Sequence, residues 1–241
     1  MLEGKPMQLA HIKNQVGALK LDFNDGYTVV KINPQLHDEL RNEQISRQLE
    51  HSNGCKPVFY KNAIVAVFPK LQRQQTSLIN KLKTLSSSIN GTIGISDEIQ
   101  GFTNLHHLYI QAATAIILGQ QLALPTTIYR YQDVMHYHPF LGFDNKDDLA
   151  AMCHPGLLIL QAYDAEHETK FVETLESYLK HERHSLPTAA ALHVHRNTLS
   201  YRLDKIDQLF SFNLDDVYER ERLLLTLNIL VYLNHPSLTA E

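Results

Sequence analysis

Residues 188–203 read T-A-A-A-L-H-V-H-R-N-T-L-S-Y-R-L, and no other stretch constrains the fold as strongly. Pro187 suits the first turn of a helix, where its missing N–H costs nothing, and Ser185 is the expected cap. Ala189, Ala190 and Ala191 are small enough for a second helix to approach closely. After a break at His193–His195, a new helix is expected to begin near Arg196. Its apolar residues Leu199, Leu203, Ile206 and Phe210 recur at helical spacing and form one stripe. The other side carries Asn197, Ser200, Tyr201, Asp204 and Gln208. Two short helices, the second held by one stripe with short polar groups near its start, have the outline of a helix-turn-helix. The major groove of DNA accepts such a helix.

The charge distribution limits how that helix could work. The net charge of −4 disfavours a general polyanion binder, so local charge matters more. Residues 1–140 carry 13 basic and 10 acidic side chains, whereas residues 141–241 carry 9 and 16. The half with the motif is thus the acidic half. Within 183–205, Arg183, Arg196, Arg202 and Lys205 face only Asp204, with three histidines nearby. A basic island on an acidic background implies few phosphate contacts and a modest salt dependence.

At 241 residues the chain has room for two modest domains. The first is expected to alternate strand and helix. Residues 27–32 read as a strand, and Pro34 opens a polar helix with Leu36, Leu40, Ile45 and Leu49 inside, ended by Asn53-Gly54. Residues 58–60 and 63–68 flank Lys61-Asn62 as a tight hairpin. A helix over 71–85 follows, with Leu78, Leu82 and Leu85 on one face, then a strand at 92–95, an alanine-rich helix over 105–118 and a strand at 127–131. The order β-α-β-β-α-β with a further α-β implies an α+β domain of the ferredoxin or cyclase-palm type, with helices on one face of the sheet.

Beyond residue 131 the pattern is helical. A short helix is expected at 147–152, a break at Pro155-Gly156, and a helix capped by Asp164 with Phe171, Leu175, Tyr178 and Leu179 on one face. After the helix-turn-helix, 212–217 is a loop and 219–233 a last helix, apolar on most sides and therefore in need of burial.

The segment A-x-x-L-H-V-H-R-N-T-L-S-Y-R-L-D-K-I, with L-L-L-T-L-N-I-L after it and F-V-E-T-L-E-S-Y-L before it, resembles the C-terminal DNA-binding domain of PucR/CdaR-type bacterial regulators. N-G-T-I-G-I-S at 90–96 and the helix at 105–119 resemble the degenerate GGDEF-like domain that precedes it in that family, and residues 2–4 and 19–22 resemble its entry. The resemblance implies a cytoplasmic transcription regulator. Its division would be a GGDEF-like α+β domain at 1–135 with a lead-in helix, a helical linker at 136–165, and an all-α DNA-binding domain at 166–241. It also implies that the effector is sensed by an N-terminal domain that this chain would lack, as a truncated form would.

Chemistry is expected to be absent. Active diguanylate cyclases hold their metal with the acids of a Gly-Gly-Asp/Glu-Glu-Phe hairpin. The corresponding F-Y-K-N-A at 59–63 has no carboxylate, so no catalytic residue is assigned and catalysis by that route is excluded. The fourteen histidines and the lone Cys55 and Cys153 show no structural-zinc spacing, so neither metal nor cofactor is expected. G-x-S-x-G, Walker A and dinucleotide fingerprints do not occur, nor does an apolar run long enough to span a membrane.

Helix geometry at 100° per residue assigns the remaining roles. With Leu199, Leu203 and Ile206 facing the core, Asn197, Ser200 and Tyr201 point away and are the candidates for base edges, Asn197 being able to pair bidentately with adenine. His195, Arg196, Thr198, Arg202 and Lys205 are the candidates for the phosphate backbone. The expected partner is a pseudo-palindromic DNA operator bound by a homodimer. The alternative is a nucleotide- or metabolite-binding module built on the catalytically dead cyclase-like domain.

Overall fold

The structure, a computed structural model, describes Leu2, Asp22 and residues 24–35, 39–50, 55–69 and 75–233. The expected lead-in helix, residues 3–4 and 19–21, Leu36, Asn53-Gly54 and the 71–74 start of the second helix lie outside the described residues. The chain divides into two compact units, Met1–His138 and Pro139–Glu241.

The first unit is mixed α+β. Its strands are β1 (Gly26–Asn33), β2 (Lys56–Tyr60), β3 (Ala63–Pro69), β4 (Thr92–Ile95), β5 (Ile99–Gln100) and β6 (Ile128–Arg130). They form one sheet in the order β2-β3-β1-β4-β6, with β5 beside β1. Every pairing is antiparallel except β4 with β6. The β2–β3 hairpin is as tight as its sequence implies: Tyr60 pairs with Ala63, and both Lys61 and Asn62 adopt positive φ, the two-residue turn whose twist matches that of the strands.

The helices do not gather on one face as expected. Helices α1 (Glu39–Glu50) and α2 (Gln75–Ile89) bury Ile45, Leu49, Leu78, Leu82 and Leu85 against Val30, Ile32, Ile64, Ala66 and Phe68. Helix α3 (Leu105–Gln121) buries Leu105, Leu108 and Ala112 against Tyr27, Val29, Val65 and Val67 on the opposite face. The signal was in β3, whose first six residues are all buried. An unbroken apolar run, rather than alternation, marks a strand covered on both sides. Leu40, expected inside, is 73% exposed, and Asn42 is buried in its place. Leu40 lies nine residues from Leu49, half a turn from the stripe that Ile45 and Leu49 define, whereas Asn42 lies three residues before Ile45. The contact of α3 with β4 is close enough that a Cβ on Gly94 would lie 1.9 Å from the Ala112 carbonyl oxygen.

Short helix α4 (Tyr131–Val134) follows β6. The second unit is helical: α5 (Lys146–Ala151), α6 (Pro155–His167), α7 (Phe171–Lys180), α8 (Ser185–Ala191), α9 (Arg196–Phe210) and α10 (Val217–Leu233). Pro155-Gly156, read as a break, instead opens α6, because proline fits the first helical position and Gly156 follows within the same turn. The segment expected as a linker thus packs Leu157 and Leu160 into one core with Phe171, Leu175, Ile206, Leu223 and Leu227. Asp164 caps α7 as expected, but it does so from the last turn of α6. Its carboxylate accepts from the backbone N–H groups of Phe171 (2.9 Å) and Val172 (2.8 Å) and from the Thr169 hydroxyl.

Candidate nucleic-acid interface

The turn ahead of α8 is tight, with Glu182 and Arg183 both at positive φ. The N-cap of α8 is His184, one residue earlier than expected, and Ser185 is the first helical residue. Pro187 lies in the first turn, and the Thr188 hydroxyl donates to the His184 carbonyl at 2.7 Å. At the other end His193 takes a left-handed conformation (φ 53°), and the Val194 N–H reaches back to the Ala189 carbonyl at 3.0 Å. This closure satisfies the helix's last carbonyls and turns the chain sharply. His195 is then extended and caps α9, its Nδ1 accepting from the Asn197 N–H at 3.3 Å.

Helix α9 buries the expected stripe: Leu199 and Ile206 are fully enclosed, with Leu203 and Phe210 packed against the same core. Asn197, Ser200 and Tyr201 are exposed, Tyr201 by 60%, as are His195, Arg196 and Thr198. Arg202 and Lys205 are half-buried. The Arg202 guanidinium donates to the hydroxyl of fully buried Thr174 on α7 (3.2 Å), and the Lys205 ammonium donates to Gln208 (3.3 Å). The structure therefore gathers six of the eight candidates on the open first two turns and gives the other two partners within the unit.

The basic island is smaller than its residue count. Arg183 donates from Nη1 to the Leu214 carbonyl (2.9 Å) and to the Asp215 carboxylate (2.6 Å), which neutralises it. Asp215 is 32 residues away in sequence, so no local pattern announces this pairing. Among the described residues Arg196 has no hydrogen-bond or ion-pair partner, and it stands where the N–H dipoles of α9 already favour an anion. Asp204 and Asp207 are exposed further along, and Asp204 lies seven residues, two turns, from Asn197 on the same face. The positive end and polar face of α9 thus give way to acid beyond the second turn.

Among the described residues no three His, Cys, Asp or Glu side chains are grouped to hold a metal ion, and no helix is long and apolar enough to cross a membrane. Cys55 and Cys153 are buried and not in a disulfide, and burial pushes the Cys153 thiol pKa up.

The family model of the PucR C-terminal helix-turn-helix domain matches residues 171–229, from the start of α7 into α10. Residues 171–229 are a PucR helix-turn-helix domain. The proteins to which the chain is similar over longer stretches are transcriptional regulators. The proline-responsive transcriptional activator PutR of Bacillus subtilis (strain 168) is 33% identical over 148 residues, covering 57% of this chain and 34% of that protein. The DNA-binding transcriptional activator AdeR of the same organism is 29% identical over 102 residues, covering 42% and 22%. The carbohydrate diacid regulator of Escherichia coli (strain K12) is 27% identical over 160 residues, covering 66% and 40%. The chain therefore spans well under half the length of these relatives. A crystal structure of the regulator of polyketide synthase expression from Bifidobacterium adolescentis aligns over 91% of this chain and 90% of its own, at 15% identity and a TM-score of 0.44.

Proposed function

We propose that the chain is a sequence-specific DNA-binding transcriptional regulator that places the first two turns of α9 in the major groove. The observation that carries this reading is the exposed row of Asn197, Ser200 and Tyr201 beside an unpaired Arg196, at the open end of the recognition helix of a PucR domain. Asn197, Ser200 and Tyr201 meet base edges, with Asn197 presenting an amide suited to adenine. His195, Arg196 and Thr198 meet the backbone. Arg202 and Lys205 reach phosphates from the flank while keeping their contacts to Thr174 and Gln208. One short helix supplies too little affinity alone, so two copies bind a pseudo-palindromic operator. The protein acts in the cytoplasm and is not an enzyme.

The sheet unit, taken as residues 1–135, is a degenerate GGDEF-like domain. Its turn at Lys61-Asn62 offers an ammonium and an amide where a cyclase would need carboxylates. Residues 166–241 form the DNA-binding domain, joined to it through 136–165.

The test is operator binding by Asn197→Ala and Arg196→Ala. The first is expected to cost about 1–3 kcal/mol and to relax preference at one base pair, and the second to weaken all sequences alike and lower the salt slope by about 1. Undiminished binding by both variants would sink the assignment. Light scattering of the operator complex checks the two-copy stoichiometry.

A further inference from the structure

The sheet unit contains a cavity of about 100 Å³ at the end of the sheet remote from the Lys61-Asn62 turn. β4 and β6 are the one parallel pair described, and both end at this cavity, in Ile95 and Arg130. The carboxyl ends of parallel strands are where sheets with helical crossovers bind ligands. Leu78, Ile79 and Ile95 supply an apolar wall. The polar wall described is Thr28, Ser96, Asp97, Glu98, Arg130 and Gln132.

These polar groups do not satisfy one another. Among the described residues Oε2 of Glu98, shut off from solvent, has no hydrogen-bond partner. The carboxylate can lie there because residue 26 is glycine: a Cβ at that position would sit 2.6 Å from Glu98 Oε1. Thr28 is only 5% exposed, and among the described residues its hydroxyl makes no hydrogen bond. Arg130 does not supply the missing partner, because its Nε and Nη2 donate to the Asp133 carboxylate at 2.8 Å each. Asp97 is oriented by Gln111, which accepts from its backbone N–H (3.1 Å) and donates to its carboxylate (3.3 Å). Among the described residues the wall therefore holds two carboxylates and a free hydroxyl, and its cation, Arg130, is committed to Asp133. Polar groups kept out of water without partners are costly, so what is missing is a donor that carries positive charge.

We propose that this cavity binds a small aliphatic ammonium compound, its charged nitrogen on Glu98 and Asp97 and its carbon body on Leu78, Ile79 and Ile95. A dry cavity of roughly 150 Å³ accommodates the six carbons of benzene, so the enclosed part of this ligand has about four heavy atoms. A simple amine and the amino end of a small amino acid share this chemistry. The carboxylate of an amino acid would lie at the mouth, beside the Arg130 guanidinium. The site does not depend on the DNA-binding reading.

The experiment is calorimetric titration of the whole chain with three probes of one ring size: pyrrolidine, L-proline and cyclopentanecarboxylate. At least one of the two nitrogen compounds is expected to bind, and cyclopentanecarboxylate is not. Tighter binding of L-proline than of pyrrolidine identifies an amino-acid site, and the reverse identifies an amine site. Glu98→Gln, which keeps the shape, is expected to weaken binding at least about tenfold while the circular dichroism and thermal melt stay those of a folded protein. Thr28→Val, also isosteric, provides a second variant and is expected to weaken binding several-fold. Failure of both nitrogen probes, equal binding of cyclopentanecarboxylate, or wild-type affinity in both variants would overturn the proposal.

Discussion

The two units handle their surfaces in opposite ways. In the sheet unit β3 buries six residues in succession, and α3 lies so close to β4 that a single methyl group at Gly94 would strike a backbone carbonyl. In the helical unit α9 fully buries only Leu199 and Ile206 and turns most of its first two turns outward. The first unit is close-packed where β3 and β4 meet their helices. The second keeps a helix partly undressed and fixes it by bonds from side chains to backbone: Asp164 on α7, His195 on α9, and Arg183 and Arg220 on the loop between α9 and α10. Packing sets the geometry of one unit, and a few polar ties set that of the other.

That contrast breaks most visibly under substitutions of opposite size. Gly94→Ala, which only adds atoms, is expected to destabilise by about 3 kcal/mol or more, because the obstacle is the Ala112 carbonyl and not a flexible side chain. Leu175→Ala, which only removes them from the fully buried core of the helical unit, is expected to cost about 3 kcal/mol. Denaturant melts of both variants check this, and a Gly94→Ala protein as stable as wild type would refute the close-packed view.

Alkaline pH offers the next largest effect. Burial, with Asp25 and Asp22 nearby, pushes the Tyr27 phenol up to about 12. The unfolded chain loses this proton near pH 10 and the folded chain only near pH 12, so the contribution is complete below pH 10 and is lost as pH rises through 12. It amounts to about 3 kcal/mol. Tyr27→Phe should flatten the stability curve over pH 10–12, which titration of the thermal melt measures.

Smaller effects sharpen the helical side of the comparison. Asp164→Ala releases two backbone N–H groups at the start of α7 and is expected to cost about 1–2 kcal/mol, read from a chemical melt. Replacing Lys61-Asn62 by Asn-Gly should stabilise by up to about 1 kcal/mol, since both positions have positive φ and glycine accepts it without strain. A gain at that turn alongside a loss at Asp164 would place local backbone strain in the sheet unit's turn and local support in the helical unit.

What was legible in the sequence depended on how local its cause was. The hairpin at Lys61-Asn62, the strand at Thr92–Ile95 and the Leu199–Ile206 stripe each follow from a few neighbouring residues, and the structure has them all. The two-sided cover of the sheet was available from the uninterrupted run in β3 but was outweighed by the order of elements. The start of helix α6 inside the helical linker is not announced locally, because Pro155-Gly156 punctuates a chain equally well as the end of one segment or the first turn of the next. Leu40 was placed inside by residue type, although the angle it makes with Leu49 puts it outside. The commitments of Arg183 to Asp215 and of Arg202 to Thr174 join residues about thirty positions apart, and no helical or strand period reaches that far.

One of those long-range ties has a mechanical consequence. Arg183 precedes α8, Arg220 lies in the first turn of α10, and both guanidinium groups hold the Leu214 carbonyl, Arg220 at 2.7 Å and also the Asp215 carbonyl at 2.9 Å. The entry to the helix-turn-helix and the base of the last helix are thereby tied to one point in the loop that follows α9. A displacement of the Leu214–Asp215 loop therefore pulls on the turn before α8 and on the first turn of α10 together.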